Sequence, residues 1–79
     1  KMESVKIVKK NKEKLSQIPL DIFLNLYIEI LELNSNRITE IPKEIGNLLN
    51  LKVLDLGFNQ IKSIAIEIFN LLNLEELYL

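Results

Sequence analysis

The chain has 79 residues, 48% of them hydrophobic and 27% charged, with a net charge of −1 and neither cysteine nor histidine. That length supports one small domain, and the composition excludes a disordered polypeptide, a disulfide framework and any zinc site built on cysteine or histidine. No stretch approaches the roughly 20 apolar residues of a membrane-spanning helix, and Lys1 to Lys14 contain no apolar run of the signal-peptide kind.

Charge is unevenly placed. Six lysines against Glu3 and Glu13 leave residues 1–14 at +4, whereas four basic and nine acidic residues leave residues 15–79 at −5. A basic end can attract nucleic acid or anionic lipid. Here no aromatic side chain interleaves the lysines to stack on bases, so the expectation is a solvated terminal cap and no nucleic-acid partner. Within this segment Val5, Ile7 and Val8 read as a strand, with an extra residue or two expected before Leu15.

Further along, Ile28, Leu31, Leu33, Asn36, Ile38, Ile41, Ile45 and Leu48 recur at one constant offset as Leu51, Leu54, Leu56, Asn59, Ile61, Ile64, Ile68 and Leu71. A third copy opens with Leu74, Leu77 and Leu79. A fixed period of this size marks a solenoid, in which each unit buries its apolar face on its neighbours. The chain divides into a degenerate N-terminal repeat or cap (1–27), two full repeats (28–50 and 51–73) and the first strand of a further one (74–79). Leu15, Ile18, Pro19 and Ile22 match Ile38, Ile41, Pro42 and Ile45, but Glu13 stands in the asparagine column and Lys10 in a leucine column. Such decay suits a unit whose outer face meets water.

Inside one repeat, alternation around Leu54-Asp55-Leu56 has period two and predicts a short strand, with both leucines pointing inward. One strand per repeat gives a parallel sheet. Asn59 follows where the chain must turn, and Asn36 is its counterpart. An asparagine side chain both donates and accepts, so the two are expected to form a ladder that holds the backbone of successive turns. Ile61, Ile64, Ile68 and Leu71 then follow at helical spacings. Pro42 and Glu44 suit a helix start, and Gly46 and Asn47 limit it to a short or 3₁₀ helix.

The pattern Leu51-x-x-Leu54-x-Leu56-x-x-Asn59-x-Ile61 resembles the leucine-rich repeat. The segment Ile41-Pro42-Lys43-Glu44-Ile45-Gly46-Asn47-Leu48-Leu49-Asn50-Leu51 looks like the 23-residue subclass of intracellular scaffolds: Scribble-type polarity proteins, Ras-pathway scaffolds and plant Ras-group repeat proteins. The same subclass also occurs in arrays attached to kinases and phosphatases. The resemblance implies an α/β leucine-rich-repeat solenoid, with a parallel sheet on its concave face and short helices or 3₁₀ turns on the convex one. It implies a protein-binding scaffold in cytoplasmic signalling, and the lack of cysteine agrees with a reducing compartment.

Several positions depart from the pattern. Leu71, Leu74, Leu77 and Leu79 are expected to be half-covered, and the last strand to be an open edge without proline or lysine protection. A longer array, or a homo-oligomer formed through that C-terminal edge, would cover them. Ala65 replaces Pro42, Ile66 replaces Lys43, and Phe69 stands in the column of Gly46 and Phe23. Both phenylalanines are expected to fill the core between repeats, while Leu20, Ile66 and Leu72 mark a second surface.

The strand positions that do not point inward supply the candidate partner-binding face. They are Ile30, Glu32, Asn34 and Ser35, then Val53, Asp55, Gly57 and Phe58, then Glu76 and Tyr78. Glu32 and Asp55 fall in one column, about 5 Å apart across strands, and their repulsion is expected to favour a partner with a basic contact surface. The pair is not a catalytic dyad: it lies on an open sheet, with no histidine, cysteine nucleophile or glycine-rich phosphate loop beside it. It also lacks the six or more oxygens of a calcium site. The expected function is therefore a non-catalytic protein-interaction module without cofactor or metal. The alternative is a regulatory or targeting arm of a larger signalling enzyme.

Overall fold

A computed structural model describes residues 5–79. Four short strands, β1 (Ile7–Lys9), β2 (Ile30–Glu32), β4 (Val53–Asp55) and β6 (Glu76–Tyr78), lie side by side in one parallel sheet in the order β1-β2-β4-β6. Each of the first three is followed by a return leg over the opposite side. There run three 3₁₀ helices, Leu20–Leu24, Lys43–Asn47 and Ile66–Asn70. The result is a right-handed coil of the kind the repeat demands, because parallel neighbours need a crossover on one side of the sheet.

Register follows the period without a slip. Val8 pairs with Leu31, Leu31 with Leu54 and Leu54 with Leu77, each one full repeat on. The extra residue expected before Leu15 is not there. The Leu15 and Ile38 amides both donate to an asparagine Oδ1 of the following repeat, so the first unit keeps the same length. What absorbs Glu13 in the asparagine column is backbone: Lys14 takes φ 58°, a left-handed conformation with no counterpart at Arg37 or Gln60.

Ile28, Leu31, Leu33, Ile38, Ile45, Leu48, Leu51, Leu54 and Leu56 are fully buried and form a single core between the sheet and the return legs. Burying each such side chain contributes roughly 1.5–3 kcal/mol, and this stacking replaces the staples that a chain of this size usually needs. Leu71, expected to be half-covered, is buried, because it is flanked by its own helix and the preceding repeat. Leu74 is half-buried, and Leu77 and Leu79 are 42% and 57% exposed, near the half-coverage expected of them.

The return leg differs from a simple helical reading. Ile41 and Ile64 lie in a second, two-stranded parallel sheet, β3 (Glu40–Ile41) and β5 (Ser63–Ile64). Only the five residues after Pro19, Pro42 or Ala65 are helical. The preceding residues have φ of −57°, −78° and −66° with ψ of 131°, 168° and 142°, and the proline ring fixes that φ at the first two. Phe23 is buried as expected, but Phe69 is largely exposed, because among the described residues no unit packs beyond it.

Candidate protein-interaction face

The sheet register turns the outward strand positions into columns. Ile7, Ile30, Val53 and Glu76 form one, and Lys9, Glu32, Asp55 and Tyr78 form the next. Ile30 and Val53 are half-buried by their neighbours, while Glu76 and Tyr78 are exposed. At the strand entrance Lys6, Glu29, Lys52 and Glu75 alternate in sign. Glu29 sits between two lysines, 3.9 Å from Lys6 and 3.7 Å from Lys52.

The Glu32–Asp55 column is not left to repel. Glu32 accepts a hydrogen bond from the Asn11 side chain at 3.1 Å and lies 4.0 Å from the Lys9 ammonium. Asp55 accepts one from the Asn34 side chain and one from the Gly57 amide, both at 2.9 Å. Donors supplied by the neighbouring column satisfy each carboxylate, so the expected recruitment of a basic partner through their repulsion does not follow from this pair. Asn34 therefore supports the face as well as forming part of it. Its own amide donates to Asn11 Oδ1 at 2.9 Å, tying adjacent strand exits together.

At the far end the Tyr78 hydroxyl donates to Glu76. This bond, then the Glu76 charge, slight desolvation and the Asp55 charge, raise the Tyr78 pKa above the ordinary tyrosine value. Each of these favours the neutral phenol over a phenolate beside carboxylates. Among the described residues neither Asp55 nor Glu76 has an ion-pair partner.

Asn36 and Asn59 build the rim. Asn59 Nδ2 donates to the carbonyls of Leu33, Leu56 and Gly57, and its Oδ1 accepts from the Ile38 amide at 2.9 Å. Asn36 does the same one unit earlier, with Lys10, Leu33 and Asn34 as acceptors and the Glu13 and Leu15 amides as donors. Each asparagine thus holds its own turn and the one before it.

Just before Asn36 and Asn59, and before Glu13 in the same column, the backbone is left-handed: Lys12, Ser35 and Phe58 have φ of 59°, 60° and 56°. A bulky side chain there is uncommon. Phe58 is 86% exposed. It borders a shallow open groove of about 590 Å³, whose walls also include Asn34, Ser35, Asp55, Gly57, Tyr78 and Leu79. Six of the ten candidate face residues thus meet at one place. Ile30, Glu32, Val53 and Glu76 lie on the same sheet face but outside the groove lining.

Two features escaped the sequence reading. Asn50 and Asn73 form a second ladder at the opposite turn, donating to the Leu26 and Leu49 carbonyls at 2.9 and 3.0 Å. Their separation by one full repeat was the available signal. Leu26 and Leu49 share a column with Leu72 and are exposed with it, beside the Leu20, Ile66 and Leu72 that the sequence placed on a second surface and that are likewise exposed.

A family model described as Leucine rich repeat matches residues 26–79. Among solved structures, the chain is similar to a leucine-rich-repeat protein of Leptospira interrogans, at 39% identity and a TM-score of 0.90, covering 94% of this chain. It spans only 19% of that protein's chain. No curated protein matches it significantly. No helix among the described residues is long and apolar enough to cross a membrane. The parallel sheet, the 3₁₀ crossovers and the asparagine ladder, together with these matches, show that the chain belongs to the leucine-rich repeat family, whose domains generally mediate protein–protein interaction and are typically non-catalytic.

Proposed function

We propose that this chain is a non-catalytic recognition module that docks a protein partner on its concave sheet face. The partner segment brings a lysine or arginine towards Asp55 and Glu76, and an apolar side chain against Phe58 and Tyr78. Its setting is a cytoplasmic signalling scaffold, a reading supported by the resemblance to intracellular repeats.

The observation that carries this is Phe58. The ring contributes little to the core, since it is 86% exposed, and its backbone sits where a non-glycine residue is disfavoured by roughly 1–2 kcal/mol. Folding alone gives no reason for a phenylalanine there. An exposed aromatic that shares a groove with Tyr78 and with Asp55, a carboxylate without an ion-pair partner, offers an apolar anchor beside a negative charge.

Selection of a random peptide library against the chain, with Phe58→Gly as counter-screen, tests the reading. Glycine is at ease at positive φ, so the variant keeps its fold while losing the ring. Support is an enriched motif pairing Lys or Arg with an apolar residue and losing affinity for the variant. No enriched motif, or equal binding by both proteins, removes the concave face from the proposal.

A further inference from the structure

In the groove beside Phe58 the hydrogen-bond donors are largely engaged, whereas acceptors are in surplus. Three successive repeats build this groove: Asn34 and Ser35 come from one, Asp55, Gly57 and Phe58 from the next, and Tyr78 from the third. The Gly57 amide donates to Asp55 Oδ1 and the Asn34 side chain to Asp55 Oδ2, both at 2.9 Å. The Ser35 amide donates to the Gly57 carbonyl at 2.9 Å, and the Tyr78 hydroxyl turns to Glu76. Each oxygen of an ionised carboxylate takes about two hydrogen bonds, and these bonds fill one place on each Asp55 oxygen. A ligand for this groove must therefore bring donors.

Charge and shape narrow the choice. Among the described residues the lining holds neither Lys nor Arg, and Asp55 has no ion-pair partner. The donor group that suits it is a cation. Asp55 is clamped from two sides, by its own turn and by the preceding repeat, so both oxygens are held in one orientation. That matches the planar fork of a guanidinium better than the point charge of an ammonium. Two aromatic side chains flank the carboxylate: Tyr78 pairs with Asp55 in the β4–β6 register, and Phe58 leaves the Asp55 strand three residues on. Both are exposed. A guanidinium stacks on ring faces and is weakly hydrated, so it loses less than an ammonium on entering a half-open groove.

We infer that the cation this groove selects is an arginine side chain of the partner protein, seated against Phe58 and Tyr78 and forked onto Asp55. The inference rests on the concave-face reading and goes further, in making arginine rather than lysine the residue recognised. Glu76 lies outside the groove lining and accepts the Tyr78 hydroxyl, so it positions the ring and does not meet the fork.

Two peptide libraries test this, alike except that one fixes Arg and the other Lys at the centre of otherwise random residues. Each is selected on the intact chain, and the enriched peptides are measured against Phe58→Gly and Asp55→Asn. Asp55→Asn removes the charge but keeps an acceptor for the Gly57 amide and, with the Asn34 amide reversed, a bond to Asn34; circular dichroism checks that both variants fold. The expected result is enrichment from the Arg library alone, with binding about tenfold weaker or worse in either variant. In the tightest peptide, replacing Arg with Lys, or with trimethyllysine as a cation without donors, should weaken binding at least about fivefold. Lys or trimethyllysine peptides that match Arg peptides, with the loss at Phe58→Gly retained, would overturn the arginine assignment and leave the concave-face reading standing. Arg peptides that bind Asp55→Asn undiminished, yet lose affinity for Phe58→Gly, would do the same. No enrichment from either library, or equal binding by Phe58→Gly, would remove the concave-face reading and this inference with it.

Discussion

Asn59 donates a 2.9 Å hydrogen bond to the carbonyl of Leu33, 26 residues earlier, while the same side chain accepts from the amide of Ile38. One amide group thus joins two units of the coil at the point where both turn. Replacing it with alanine leaves those backbone groups without partners in a partly buried site, at about 1–3 kcal/mol for each group that water does not reach. We expect Asn59→Ala to lower stability in urea by about 2–4 kcal/mol. Asn36→Ala should cost more, because Asn36 is more deeply buried and its carbonyl oxygen serves two amides. A loss below about 0.5 kcal/mol at either position, no more than an ordinary surface substitution produces, would mean that the ladder is ornamental.

Phe58→Gly should separate folding from recognition. The left-handed backbone at φ 56° suits glycine, but glycine also loses more chain entropy on folding. The two effects nearly offset, with a net gain of about 0–1 kcal/mol. The urea midpoint is therefore expected to hold or rise while affinity for any concave-face partner falls at least tenfold. A marked loss of stability would show that the ring packs in a way its exposure does not reveal.

Gly46→Ala tests the close approach of the second and third 3₁₀ helices. Entropy of the unfolded chain alone would favour alanine by roughly 0.4–1 kcal/mol. The new methyl meets Glu67 Cβ at 3.0 Å and the Glu67 carbonyl oxygen at 3.2 Å, and neither is the free end of a side chain. Overpacking wins, and we expect a net loss of about 1–2 kcal/mol. Gly57→Ala is the control. There the nearest atom is a carboxylate oxygen of Asp55 at 3.2 Å, which can shift, so the change should stay within about 0.5 kcal/mol.

Tyr78 gives a pH signature. Its folded pKa is raised, chiefly by the hydrogen bond to Glu76. The stabilisation is therefore fully present below the ordinary tyrosine value of about 10, and is lost as pH rises through the higher folded value. Absorbance titration at alkaline pH, in a Tyr27→Phe background, should find Tyr78 ionising at lower pH after Glu76→Gln. An unchanged titration would mean that the Tyr78–Glu76 bond does not persist in solution.

The buried positions were legible because a core residue obeys its period. Leu31 and Leu54 are one full repeat apart, share one register and are both buried, and the asparagine column could be read with them. What eluded the sequence depends on neighbours that no single repeat contains. Glu32 and Asp55 look repulsive until Asn11 and Asn34, one column over, are seen to donate to them. Phe69 and Phe23 look alike, yet Phe23 is buried and Phe69 exposed, because burial depends on the unit that follows. Phe58 could be assigned to the surface, but its left-handed backbone could not, since phenylalanine gives no local signal for it. Ile64 looked helical because its spacing to Ile61 and Ile68 imitates a helix, whereas it pairs with Ile41 as a strand.

The alternating column Lys6, Glu29, Lys52 and Glu75 gives the coil a parity. Excising residues 28–50, as unequal crossing-over between tandem copies would do, sets Lys6 beside Lys52. Excising 28–73 sets Lys6 beside Glu75 and restores opposite neighbours. The difference is small, roughly 0–1 kcal/mol per pair at the surface. In this column alone, losing two units keeps opposite charges adjacent, whereas losing one sets like charges side by side.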